Sequence, residues 1–146
     1  MTDGKVEITI KSTQTDISDE SMETMYIGDY RQFAEKHIIT YEEYFENEGA
    51  FPAKNKNLMK IEKNCIQITK KGAITTQMYF EPDKKHFGSY QTPFGNFDMT
   101  IHTERLTVQE TSQTVTADIV YHLSLNGSPV SKCNIQMKIK NETGTI

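Results

Sequence analysis

Apolar and polar positions alternate with a period of two along most of this chain. Val6, Ile8 and Ile10 alternate with Lys5, Glu7, Thr9 and Lys11, which predicts a first strand with one face on a core. Residues 13–20 are polar and acidic and read as a loop. Residues 21–33 carry Met22, Met25, Tyr26, Ile27, Tyr30 and Phe33, interrupted by Gly28-Asp29. A glycine inside a strand pattern marks a bend at a barrel corner, or a turn that splits the segment. The bent strand is the favoured reading. After a Glu35-Lys36 turn, residues 37–47 form a strand whose apolar face holds Ile39, Tyr41 and Phe45. His37 and Glu43 share that face.

Residues 49–57, with Pro52, read as a loop. Residues 58–62 and 64–70 form a hairpin around Lys63-Asn64, with Ile66 and Ile68 on the buried side. After a turn at Lys70-Lys71-Gly72, residues 73–80 place Ile74, Thr76, Met78 and Phe80 on one face. Glu81-Pro82-Asp83-Lys84-Lys85 is a turn signal, and a short strand over 86–90 leads into the tight turn Thr92-Pro93-Phe94-Gly95. That turn feeds a long strand over 96–109. Phe97, Met99 and Ile101 share a parity there, and Leu106 and Val108 have the opposite one, so a bulge is predicted near Thr103-Glu104-Arg105. After a hairpin loop at 110–113, Val115, Ala117, Ile119, Tyr121, Leu123 and Leu125 give the cleanest alternation in the chain. Asn126-Gly127-Ser128-Pro129 turns again, and Cys133, Ile135, Met137 and Ile139 mark the last strand before a frayed tail at 141–146. The sum is about eight to ten antiparallel strands with short connections and no helical period. Such a set makes an up-and-down barrel or a two-sheet sandwich. Long, bulged and glycine-bent strands favour the barrel, as one domain spanning residues 1–146.

Composition narrows the partners more than the fold. With 16 Lys+Arg against 20 Asp+Glu the net charge is -4, which disfavours nucleic acid as a partner. No window approaches the ~20 apolar residues of a membrane helix, and the amino terminus has no apolar signal core. Cys65 and Cys133 have no Cys-x-x-Cys spacing and read as small buried or half-buried residues in a reducing compartment, hence a cytoplasmic expectation. A small molecule and a second copy of the chain, as a homodimer, stand as candidate partners.

The chemistry centres on Glu43, because a carboxylate on an apolar face needs partners or a raised pKa. Arg105 shares a face with Phe97 and Ile101 if the bulge follows it, and would then reach Glu43 inside the barrel. Tyr41 and Tyr121 nearby, with Met78 and Met99 as adaptable walls, would complete a polar spot in an apolar cavity. The bland alternative is a structural ion pair closing the barrel end, or an exposed Arg105. His102 and His122 fall on the outer face of neighbouring strands, diagonal to each other, and two histidines are too few for zinc. Adjacent Glu42 and Glu43 point to opposite faces and make a poor acid–base pair. No serine sits in a Gly-x-Ser-x-Gly elbow, and no glycine loop cradles phosphate. No catalytic residue, metal or cofactor is therefore assigned. Two functions are left open: binding of a small, partly apolar ligand inside the barrel, or a filled barrel acting through its surface as a protein-interaction module. Tyr44, Tyr79 and Phe94 are the outward aromatics for the latter.

Several motifs recur in a recognisable order: Tyr41-Glu42-Glu43, the Lys71-Gly72 turn, Met78-Tyr79-Phe80, Tyr90-x-Thr92-Pro93-Phe94-Gly95, Tyr121-x-Leu123 and the strand from Cys133 to Lys140. Together they resemble the YwiB-like family of uncharacterised bacterial β-barrel proteins, over nearly the whole chain. The resemblance implies a calycin-like (lipocalin-like) antiparallel barrel in a bacterial cytoplasm and implies no activity. Relatives are expected to carry an arginine before the turn glycine, where this chain has Lys71, so a planar bidentate cation is missing there.

Overall fold

The computed structural model describes residues 1–15, 20–45 and 53–142. Ten strands follow one another: β1 (Gly4–Gln14), β2 (Ser21–Phe33), β3 (Lys36–Phe45), β4 (Ala53–Glu62), β5 (Cys65–Gly72), β6 (Thr75–Phe80), β7 (Lys85–Thr92), β8 (Gly95–Glu110), β9 (Thr114–Leu125) and β10 (Ser128–Asn141). Each pairs antiparallel with its sequence neighbours, and β1 pairs with β10 from Val6↔Asn141 to Gln14↔Cys133. That last ladder closes the sheet into a barrel and rules out the sandwich. No helix is long and apolar enough to cross a membrane among the described residues.

The period-two pattern becomes the inside and outside of the wall. Val6, Ile8, Ile39, Met59, Ile61, Ile66, Phe80, Ile101, Val115, Ile119 and Ile139 are essentially inaccessible and form one continuous core. The phase slip in β8 is real: the register shifts between Thr103 and Arg105. Three expected boundaries move. β1 runs on to Gln14, so the polar loop starts later and residues 16–19 lie outside the described part. β4 begins at Ala53, inside the span read as loop, while residues 49–52 lie outside. The tail is held at Asn141, whose amide bonds Thr2 both ways, and at Glu142, whose N–H donates to Lys5 O; residues 143–146 lie outside.

The wall is not zipped evenly. β2 pairs with β1 from Gly4↔Tyr30 to Thr13↔Ser21, but with β3 only from Asp29↔Thr40 to Phe33↔Lys36. The amino-terminal half of β2 and the carboxy-terminal half of β3 therefore run unpaired to each other. Gly28 sits at the fork, and the segment is one continuous strand, as the bent-strand reading expects. A Cβ on Gly28 would lie 2.5 Å from Thr40 O and 2.9 Å from Ile8 Cδ1. Only glycine allows the two backbones this close. A second fork separates β6 and β7, which pair only at Thr75↔Gln91 and Thr76↔Tyr90.

Gly28→Ala is expected to lower stability by about 1–3 kcal/mol, because the clash is with backbone that cannot step aside. Gly88→Ala, whose Cβ would meet its nearest atom at 3.3 Å, should cost less. Urea midpoints of the two variants against wild type check the order.

Candidate functional site

β3 carries a polar group at each end of its inner face, His37 and Glu43, six residues and about 20 Å apart along the strand. Each has built a different environment.

Glu43 gathers donors from three strands. Its Oε1 accepts from Asn55 Nδ2 at 3.2 Å, Asn57 Nδ2 at 3.2 Å and Lys70 Nζ at 3.0 Å. Its Oε2 accepts from the Tyr26 hydroxyl at 3.4 Å. Asn55 is wholly buried and is itself fixed, its Oδ1 accepting from Ile74 N–H at 2.9 Å. The Lys70 and Glu43 side chains are 21% and 17% exposed, so the ion pair is shielded without being dry. Burial pushes the Glu43 carboxyl up, but the Lys70 ammonium and the three N–H donors outweigh it and hold the group below the usual carboxylate range. The surrounding phenols move the other way. Burial, then the Glu43 charge, pushes the Tyr41 hydroxyl well up, and the same two causes raise Tyr90. Burial also raises Tyr26. These tyrosines stay protonated, able to donate at any physiological pH.

The Tyr26 and Tyr41 rings lie 4.8 Å apart across the fork between β2 and β3. They fill the place where ladder hydrogen bonds are missing. A cavity of about 800 Å³ opens on the outer face of this fork. Its rim includes Met25, Ile27, Tyr44, Lys56 and Lys71, and its walls reach Tyr26, Tyr41 and Asn57. Those last three residues also surround Glu43, so the cavity approaches the polar cluster through the wall.

The expected site residues separate on this frame. Tyr41 and Glu43 are neighbours in the cluster. Met99 and Tyr121 face inward, 3% and 8% exposed, and Met78 is half-buried against the core. Phe80 packs on Tyr121 with ring centres 5.0 Å apart. Burial, then the neighbouring Cys133, pushes the Tyr121 hydroxyl far up. Arg105 does not join. The bulge falls before it, so Thr103 takes the inward position, fully buried, and the Arg105 side chain is 63% exposed beside Asp118 at 3.8 Å. The cation expected inside is Lys70, which continues the parity of Ile66 and Ile68. Asn55 and Asn57 continue the parity of Met59 and Ile61 and were legible in the same way, had the strand been started earlier.

At the other end His37 is 4% exposed. Its Nδ1 is 2.6 Å from the Tyr30 hydroxyl and its Nε2 2.6 Å from Glu110 Oε1. A neutral ring satisfies both: Tyr30 O–H donates to Nδ1, and Nε2–H donates to the carboxylate. This chain of bonds ties β2 and β3 to the end of β8. His102 and His122 are directly opposite in register rather than diagonal, with ring centres 6.1 Å apart. Among the described residues no group of three His, Cys, Asp or Glu side chains could hold a metal. Cys65 and Cys133 are both free thiols.

Two consequences can be measured. Because folding lowers the Glu43 pKa, its stabilising contribution is present above the range where an unfolded carboxylate titrates and is lost as pH falls through the folded value. Scanning calorimetry between about pH 7 and pH 3 should show wild type losing stability in acid more steeply than Glu43→Gln. Lys70→Met should cost about 1–3 kcal/mol at neutral pH, less than a fully buried pair because both groups still touch water. Urea unfolding of Lys70→Met, alone and combined with Glu43→Gln, should show the double variant recovering part of that loss.

The barrel closed by β1 on β10 also frames the likeness to known proteins. No curated protein matches the chain. Among solved structures it is similar to the ywiB protein from Bacillus subtilis, with a TM-score of 0.79 and 19% identity, over 97% of this chain and 94% of that one. At such identity the likeness bears on the barrel fold alone. The family model described as domain of unknown function (DUF1934) matches residues 6–137, from Val6 in β1 to Met137 in β10. On that match the chain belongs to the DUF1934 family.

Proposed function

We propose that the barrel binds a small, partly apolar molecule at the Glu43 cluster, reached through the fork between β2 and β3. The observation that carries this reading is the cavity of about 800 Å³ whose lining includes Tyr26, Tyr41 and Asn57, residues that also stand around Glu43. Ligand pockets are commonly ~300–1,000 Å³, mostly apolar, with a few convergent polar groups. The mouth here supplies Met25, Ile27 and Tyr44 as apolar surface, and Asn57 in the lining is held by its bond to Glu43. Ten strands also enclose more space than the eight whose side chains just fill a barrel. In this reading Tyr41 and Glu43 form the polar floor, and Met78, Met99 and Tyr121 belong to the opposite wall. Arg105 has no part in it. The calycin-like character and the location in a bacterial cytoplasm belong to the same proposal and rest on the family resemblance.

A second reading is favoured by a different feature. Met25, Ile27 and Tyr44 are 66%, 51% and 64% exposed on the outer face at the fork. An apolar strip of this kind suits a protein partner. It makes the barrel a surface module and leaves the Glu43 cluster a structural device.

Native mass spectrometry of the protein purified from a bacterial host decides between them. The expected result is a reproducible small-molecule adduct on the monomer. It should be lost in Glu43→Gln and Tyr41→Leu, and kept in Arg105→Ala. A mass free of adduct in wild type, with a homodimer or a bound protein in its place, would move the function to the outer strip.

A further inference from the structure

The side chain of Asn57 is left half satisfied. The residue is 2% exposed, its Nδ2 donates to Glu43 Oε1 at 3.2 Å, and its Oδ1 has no partner among the described residues. Turning the amide over would not help, because it would set Oδ1 against the Glu43 carboxylate. The orientation is therefore fixed, and a residue that lines the cavity keeps a buried acceptor without a donor. Such a group costs free energy unless something fills the position. Lys70 is the complement. Its ammonium carries three N–H donors, and one is used on Glu43 at 3.0 Å. Lys70 Nζ and Asn57 Nδ2 touch the same carboxylate oxygen, and Asn57 Oδ1 is one amide angle away from Nδ2. A free acceptor and free donors thus lie within the span of one small planar group.

Charge selects among the groups that could fit. Glu43 and Lys70 neutralise each other, and Asn55 and Asn57 are neutral. A carboxylate head would find Lys70 but would meet the lone pairs of Glu43 and Asn57 Oδ1. An ammonium head would find Asn57 Oδ1 but would sit against Lys70. Either brings an uncompensated charge into a mostly buried place. Resting on the ligand-binding reading above, we propose that the ligand carries an uncharged carboxamide-type head, such as a primary amide, lactam or ureide. One N–H of the head donates to Asn57 Oδ1, and its carbonyl accepts from Lys70 Nζ. The flat apolar body attached to the head packs on the Tyr26 and Tyr41 rings.

Three probes of one shape separate the possibilities: benzamide, benzoate and benzylammonium, each titrated into the full chain and followed by ¹H–¹⁵N correlation spectra that include side-chain amides. Benzamide should shift the Asn57 side-chain NH₂ signals and bind at least about tenfold more tightly than either charged probe, the scale of one satisfied buried hydrogen bond. Asn57→Leu, with its barrel spectrum otherwise intact, should lose about tenfold in benzamide affinity. Tighter binding of benzoate or benzylammonium at the same signals overturns the carboxamide head. So does a complete lack of shift at Asn57 with all three. The ligand-binding reading fails separately. A natural adduct that depends on Glu43 but carries an ionised head sinks only the head assignment, whereas the absence of any adduct sinks the reading beneath it.

Discussion

The close approach of Gly28 to Thr40 governs how this barrel is assembled. A ten-stranded sheet must bend sharply somewhere to close, and here β2 bends where it leaves β3. Up to Asp29 the two strands share a ladder. Beyond Gly28 they part, and each stays bonded only to its other neighbour. The free backbone groups along the fork would ordinarily need to be paired or wetted. Aromatic rings occupy the inner side of that opening in place of a ladder. The fork makes the wall thin at one place, and the thin place lies beside the Glu43 cluster.

The energetics of that interior follow from it. A carboxylate in an apolar core would normally neutralise itself by taking up a proton. Glu43 stays ionised because Asn55, Asn57 and Lys70 all reach one of its oxygens. Four polar side chains from three strands are needed to keep one charge. That is a costly way to hold strands together, since hydrophobic replacements of similar volume often stabilise as well or better. The opposite end of β3 solves a structural task with less: one buried histidine spans Tyr30 and Glu110 with both ring nitrogens engaged. The contrast matters for function. The His37 chain is satisfied within itself, while the Glu43 cluster leaves an acceptor on Asn57 free.

Much of this was legible in the sequence, and the failures share one cause. Period-two alternation located the ten strands, and the phase slip between Ile101 and Leu106 located the bulge in β8. The bulge position within its three-residue window was not legible, and one residue decides which side chain turns inward. Placing it after Arg105 gave Glu43 the wrong cation; placing it after Thr103, as the structure does, turns Arg105 to solvent. Lys70 was passed over because a lysine beside another lysine and a glycine reads as a turn, although it keeps the parity of Ile66 and Ile68. Asn55 and Asn57 were lost for a similar reason: asparagine and lysine clusters look like loop, and only their spacing from Met59 and Ile61 marks them as strand. Polar residues on an inner face weaken the very alternation that would reveal them, so a polar site inside a barrel is the part a hydrophobic pattern describes worst.

The second fork shows that an opening alone is not enough to make a site. β6 and β7 separate after two pairs, and a cavity of about 500 Å³ lies there, reaching Met99 and Ile101. The Tyr79 and His86 rings close it with centres 4.7 Å apart, as Tyr26 and Tyr41 do at the first fork. His86 Nε2 lies 3.0 Å from Glu81 Oε1, within ion-pair reach, but makes no hydrogen bond among the described residues. Behind the Tyr79–His86 seal lie Met99 and Ile101, already packed in the core. Behind the Tyr26–Tyr41 seal stand an ionised carboxylate, an ammonium with donors to spare and an amide oxygen with nothing to accept. Both forks follow from bending a long sheet around a small core, but only the first lies beside an ionised carboxylate held by an ammonium and two amides, with an amide acceptor left over.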